Sequence, residues 1–116
     1  IALACEEYAA ELGFDIDFRQ SNSEGEMVTI LNEAHTHYAG VIINAGAYSH
    51  TSIAIHDALK ILDVPIVEVH LTNVFKRESF RHQSYVSPLA LGLICGFGGH
   101  GDILALDALR ARIDDV

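Results

Sequence analysis

The sequence predicts a doubly wound parallel α/β sheet, and three observations carry that prediction. Short apolar runs at Val41-Ile42-Ile43, Pro65 to Thr72 and Leu89 to Cys95 read as strands buried on both faces. The stretches between and after them place apolar residues three and four apart, as amphipathic helices do. Strand and helix alternate with connections of mostly a few residues, which fits neither a barrel of eight units nor an α+β fold.

With 116 residues the chain is expected to form one domain, residues 1–116. Half its residues are apolar, enough for a proper core and against disorder. No apolar run reaches the roughly 20 residues of a membrane span, and the acidic start (Glu6, Glu7, Glu11) is unlike a signal peptide. A net charge of −9 repels a nucleic-acid backbone. Against that background Lys76, Arg77 and Arg81, beside His82, form a local cationic patch suited to a small anion. Cys5 and Cys95 sit far apart in apolar patterns and read as two buried free thiols of a reducing cytoplasm.

Residues 1 to 12 read as a helix with Cys5, Tyr8 or Ala9, and Leu12 on one face, stopped at Gly13. No cap residue precedes Ile1, so the chain begins inside a helix. Phe14, Ile16 and Phe18 alternate with Asp15, Asp17 and Arg19, the pattern of a strand with one wetter face. Ser23 with Glu26 fits a capping box, and Met27, Ile30, Leu31 and Ala34 carry the next helix to about His37. After the strand at Val41 to Ile43 come Asn44, Gly46, Ser49, His50, Thr51 and Ser52, and then a helix on Ile55, Ala58, Leu59 and Leu62. Pro65 opens the next strand, Asn73 or Thr72 caps a short helix near Phe75 to His82, and Asp102 caps the last helix through Ile113.

Function is expected where strands end, because ligands of open parallel sheets bind outside the carboxyl ends of the strands. The Gly40 to Ser52 stretch becomes polar at such an end, although turn formers and a helix cap would also account for it. The strand from Pro65 ends in Glu68, His70, Thr72 and Asn73. Residues i and i+2 of a strand share a face, so the Glu68 carboxylate can hold one imidazole nitrogen of His70 and raise the basicity of the other. A core histidine satisfied by a neighbouring acid is the plain alternative. His50 and the Arg77/Arg81 patch favour a site.

Other motifs read as structural. Gly96-Phe97-Gly98-Gly99-His100-Gly101 matches G-x-G-x-x-G, but only one helix follows, without the strand and acidic residue a dinucleotide site needs; it reads as a turn. His35 and His37 are i, i+2 on a helix end and do not share a face for a metal. His56 reads as a solvated helix residue, and no Cys/His spacing fits structural zinc. Ile53, Asp57 and Ile61 lie opposite the core face of their helix, so a second subunit is expected to cover that stripe.

The chain resembles the type II 3-dehydroquinate dehydratases (type II dehydroquinases) in order over essentially its whole length. The resemblance is carried by Phe18-Arg-Gln-Ser-Asn22 with Glu24-Gly-Glu26, Ile42-Ile-Asn-Ala-Gly-Ala-Tyr-Ser-His-Thr-Ser52, Glu68-Val-His-Leu-Thr-Asn73 and Arg77-Glu-Ser-Phe-Arg81. Ser49 and Thr72 stand where the family more often has Thr and Ser. The resemblance implies a flavodoxin-like sheet. It also implies a cytoplasmic lyase of the shikimate pathway (aromatic amino acid biosynthesis) or of quinate breakdown. That enzyme dehydrates 3-dehydroquinate reversibly to 3-dehydroshikimate by anti elimination through an enolate, without metal or organic cofactor. It implies His70 as general acid on the leaving hydroxyl, Glu68 as its orienting partner and Asn44 as a second contact to that hydroxyl. Leu71 and Thr72 would hold the substrate carboxylate, and His50 and Arg81 the ring hydroxyls. Asp57 would reach a neighbour's site in a trimer-based homo-oligomer, a dodecamer in the assembled form. No nucleic acid or membrane partner is implied.

The family's first strand, its Gly-Pro-Asn-Leu-Asn loop and the lid with an Arg and the general-base Tyr have no counterpart in these residues. Tyr8, Tyr38, Tyr48 and Tyr85 do not match that lid motif. The missing strand belongs between Phe14–Arg19 and Val41–Asn44, so the sequence is expected to be N-terminally incomplete. The rival expectation is a non-catalytic flavodoxin-like module that binds a small anion or serves a response function.

Overall fold

The computed structural model describes residues 2–114. A three-stranded parallel sheet is formed by β1 (Val41–Ile43), β2 (Ile66–His70) and β3 (Gly92–Cys95), in the order β1-β2-β3. Ile43 pairs with Glu68, and His70 pairs with Cys95, which sets the two polar residues of β2 at the carboxyl end of the central strand. Helices α2 (Glu24–Ala34) and α3 (Ile53–Lys60) cover one face, while α1 (Ala2–Leu12) and α4 (His100–Asp114) cover the other.

Each face has its own apolar core. Leu31, Ile43, Ile55, Leu59, Ile66 and Val86 pack together on the α2/α3 side. Val67 and Val69 meet Ala105 and Leu109 of α4 on the other, where Cys5, Ala9 and Leu106 tie α1 to α4. All five residues of β2 are buried, as a central strand between two helical layers requires. Local signals set the helix starts: Ser23 Oγ accepts from the Glu26 N–H and Ser52 Oγ from the Ile55 N–H.

Several expectations need correction. Residues 14–20 form no strand; the alternation is present, but no ladder partner lies beside it among the described residues. Between that segment and the open edge of β1 lies a cleft of about 760 Å³, walled by Phe14, Ile16, Phe18, Ile42, Leu106 and Leu109 among others. α2 ends at Ala34, capped at His35, three residues before His37. The short helix after Asn73 is two 3-10 turns, Val74–Lys76 and Ser79–His82, the first capped by Asn73. Only Gly92–Cys95 of the third apolar run is strand, and as an edge strand it is partly exposed. Cys95 is accordingly half-buried, while Cys5 is buried. Asp102 lies in the first turn of α4 rather than at its cap, and burial pushes its carboxyl up. The start of the first predicted helix at Ile1 lies outside the described residues.

The Gly96–Gly101 segment is the turn that leads from β3 into α4. Gly96 has φ +96°, a backbone conformation that favours glycine, and a Cβ there would crowd the Asn73 Cβ at 3.2 Å.

Candidate active site

The polar end of β2 opens into a cavity of about 290 Å³ lined by Asn44, His50, His70, Leu71, Thr72, Arg77 and Arg81 with backbone of the loops. Asn44 follows directly on β1, the 3-10 turn Gly46–His50 supplies His50, β2 supplies His70, and the segment after β2 supplies the two arginines. The larger cleft beside β1 holds no comparable convergence: the Asp17 carboxylate there is bound by Arg19 at 3.0 Å and by the Tyr38 hydroxyl.

Glu68 and His70 form the centre. His70 Nε2 lies 2.7 Å from Glu68 Oε2, with the Glu68 residue fully buried and His70 95 % removed from solvent. A carboxylate accepts, so Nε2 carries a proton and Nδ1 is the nitrogen left for the cavity. Burial pushes the Glu68 carboxyl up, but hydrogen bonds from His70, Ser87 and Ser84 more than offset it, and the net shift is downward. The stability that Glu68 contributes is therefore complete above its ordinary value of 4.5 and is lost as pH falls through its lower folded value.

His50 stacks on His70, ring centroids 6.0 Å apart and planes within 14°. Its Nδ1 lies 2.6 Å from the Gln83 carbonyl oxygen, which can only accept, so Nδ1 donates. Neutral His50 thus keeps an acceptor, Nε2, for a ligand hydroxyl. Asn44 Oδ1 accepts from the Gly46 N–H at 3.1 Å, an Asx turn that orients the side chain at the strand end. Arg81 donates from Nε to Glu78 Oε1 at 3.0 Å, and Arg77 donates from Nη1 to the Thr72 hydroxyl at 3.4 Å. Glu78 sits between both arginines, and its own backbone N–H, then Arg81 and Arg77, hold its carboxyl below the usual range.

The structure thus brings together six of the predicted residues: Asn44, His50, His70, Leu71, Thr72 and Arg81 line one cavity, with Glu68 behind His70. Asp57 is exposed on α3 between Ile53 and Ile61, which are 58 % and 54 % exposed, and does not line the cavity. His56 is not simply solvated: its Nδ1 donates to the Tyr85 carbonyl at 2.6 Å. Sequence reasoning missed Ser84, Ser87 and Glu78. Only Glu78 left a signal, its i,i+3 spacing to Arg81. Among the described residues no group of three or more His, Cys, Asp or Glu side chains converges as a metal site.

Residues 1–110 match the family model described as dehydroquinase class II. The chain belongs to the class II dehydroquinases. It is 57 % identical over 106 residues to 3-dehydroquinate dehydratase 1 of Agrobacterium fabrum, covering 91 % of this chain and 73 % of that protein. It is 58 % identical over 114 residues to 3-dehydroquinate dehydratase of Mesorhizobium japonicum, covering 97 % of this chain and 79 % of the relative. The crystal structure of type II dehydroquinase from Propionibacterium acnes superposes with a TM-score of 0.90 at 44 % identity, over 95 % of this chain and 76 % of that one. For this class II dehydroquinase chain, the arrangement at the end of β2 is a carboxylate–imidazole pair facing a polar cavity with two guanidinium groups.

Proposed function

We propose that this protein is a 3-dehydroquinate dehydratase of the shikimate pathway, with the buried Glu68–His70 pair as the acid that releases water. The observation that carries the reading is that pair, 2.7 Å apart, at the mouth of a cavity whose cationic groups suit a carboxylate substrate. In the elimination a general base takes a proton from the carbon next to the ketone, and the electron pair of that C–H bond forms an enolate. The enolate then collapses to a conjugated double bond as the adjacent C–O bond breaks. Protonated His70 gives its Nδ1 proton to the departing hydroxyl, which leaves as water, and the Glu68 anion stabilises the imidazolium until that moment. Asn44 contacts the same hydroxyl. Leu71 through its backbone N–H and Thr72 through backbone and hydroxyl hold the substrate carboxylate. His50 accepts from one ring hydroxyl and Arg81 donates to another. None of the four tyrosines lines the cavity, and none is assigned as the base. The reaction needs no metal or organic cofactor.

The test is an ultraviolet assay on the full-length protein. The conjugated enone product absorbs where 3-dehydroquinate does not, so turnover raises the absorbance. Binding of the substrate with no rise would favour a small-anion binding module instead.

Arg81→Ala should raise KM by roughly 10- to 100-fold, since a charge-assisted hydrogen bond is worth about 1.5–3 kcal/mol. Arg81→Lys should recover little of it, because an ammonium cannot reproduce the planar fork. A lysine variant with the parent's KM would show that the planar guanidinium is not needed.

We further propose a cytoplasmic homo-oligomer built on trimers, reaching a dodecamer. Support comes from the exposed Ile53–Asp57–Ile61 stripe on α3, each isoleucine worth roughly 1.5–3 kcal/mol in transfer terms once covered. An Asp between them is tolerated in an interface only with a partner, here a neighbour's substrate or cation. Asp57→Ala should then lower turnover. Reassembling Asp57→Ala chains with His70→Ala chains should return measurable activity, because some mixed interfaces hold one intact site. No recovery in mixed oligomers confirmed by sedimentation would contradict the shared site.

A further inference from the structure

The Glu68 carboxylate is held from two sides. His70 reaches Oε2 from within β2, and the loop before β3 supplies two hydroxyls, Ser84 to Oε2 at 2.7 Å and Ser87 to Oε1. The Ser84 hydroxyl has no freedom in which way it points. Its oxygen accepts from the Val86 N–H at 3.0 Å and the Ser87 N–H at 3.2 Å, which occupy both lone pairs. Its one proton must therefore go to Glu68 Oε2. A proton on that oxygen would meet a donor on each side, from Ser84 and from His70 Nε2. The same loop is fastened by two imidazoles, His50 on the Gln83 carbonyl and His56 on the Tyr85 carbonyl, and by the Tyr85 N–H on the Ser49 carbonyl at 2.7 Å.

We propose that Ser84 and Ser87 are positioning residues that keep Glu68 an anion and thereby fix His70 with its proton on Nε2 and Nδ1 toward the cavity. The proposal rests on the reading of Glu68 and His70 given above. The chain of donors runs from two backbone amides through Ser84 to the carboxylate, and each bond polarises the next. His50 stacks on His70, and Arg77 and Arg81 line the same cavity, Arg81 being tied to Glu78. From α3, His56 is turned to Tyr85 and Asp57 is exposed; Cys95 lies beside His70 in β3, and Asp102 belongs to α4 on the opposite face.

The experiment follows Glu68 directly. The full-length protein, labelled with ¹³C at glutamate carboxyls, is titrated by NMR as parent, Ser87→Ala, Ser84→Ala and Ser87→Thr, and kcat is measured across the same pH range. Each alanine variant should move the Glu68 midpoint up by about one pH unit or more, the worth of a lost hydrogen bond to a charge. The acid limb of the kcat profile should move with it, and Ser87→Thr should keep the parent's midpoint. Ser84 also caps its loop, so Ser87→Ala, which removes only the Oε1 contact, carries the test if Ser84→Ala does not fold. An unmoved Glu68 midpoint in folded Ser87→Ala overturns the proposal. His70→Ala run alongside separates the two claims: full turnover there removes the catalytic reading, while the Glu68 titration still reports on the serines.

Discussion

His70→Ala should fold normally and lose turnover by ~10²–10⁴-fold, the range a positioned general acid supplies. The fold is expected to survive because the Glu68 carboxylate keeps two of its three partners, Ser84 and Ser87, when the imidazole is removed. The cost in stability is that of one lost hydrogen bond to a buried anion, about 1–3 kcal/mol. KM should change little, since the carboxylate and ring contacts assigned to Leu71, Thr72, His50 and Arg81 are untouched. Circular dichroism with the ultraviolet turnover assay separates the two effects. Near-normal kcat in a folded His70→Ala protein would take His70 out of the mechanism.

Glu68→Gln is the second large expected effect, on the order of a 10²-fold loss in kcat with the fold intact. Glutamine has the same shape, and its amide oxygen at the Oε2 position accepts from both His70 and Ser84. Its NH₂ then faces Ser87, whose hydroxyl turns to accept. What is lost is the negative charge that stabilises the His70 imidazolium. A second signature follows from the downward shift of Glu68. In the parent, stability falls as pH drops below about 4.5 through the folded value of this group. Glutamine does not titrate, so that part of the acid sensitivity should disappear from the variant's urea-unfolding curves. Unchanged kcat in Glu68→Gln would reduce Glu68 to a structural partner.

The Glu68–His70 pair was legible in the sequence because a strand has a period of two, which places i and i+2 side by side without any tertiary knowledge. The same local logic located Ser23 as a helix cap and offered Asn73 or Thr72 for the next short helix, where Asn73 caps the first 3-10 turn. The serines were not legible, since Ser84 and Ser87 reach Glu68 across 16 and 19 residues only after the loop has folded back over β2. The His56 contact is illegible for the same reason: its partner is a backbone carbonyl 29 residues away, and carbonyls leave no trace in a sequence pattern. The Phe14–Arg19 alternation shows the opposite failure. A period-two pattern predicts which faces a strand would show, but a strand exists only with a neighbour to bond, and none flanks that segment among the described residues. The partial exposure of the third apolar run is likewise illegible, because apolar runs do not report whether a strand is central or at an edge.

A double-mutant cycle on turnover decides whether Glu68 and His70 act as one acid. The parent, Glu68→Gln, His70→Ala and the double variant are assayed for kcat under one set of conditions. If Glu68 works only through His70, the double variant should be as slow as His70→Ala alone, with no further loss from the glutamine. Losses that multiply, so that the double variant is slower than His70→Ala by the full Glu68→Gln factor, would show two independent contributions and contradict the pair.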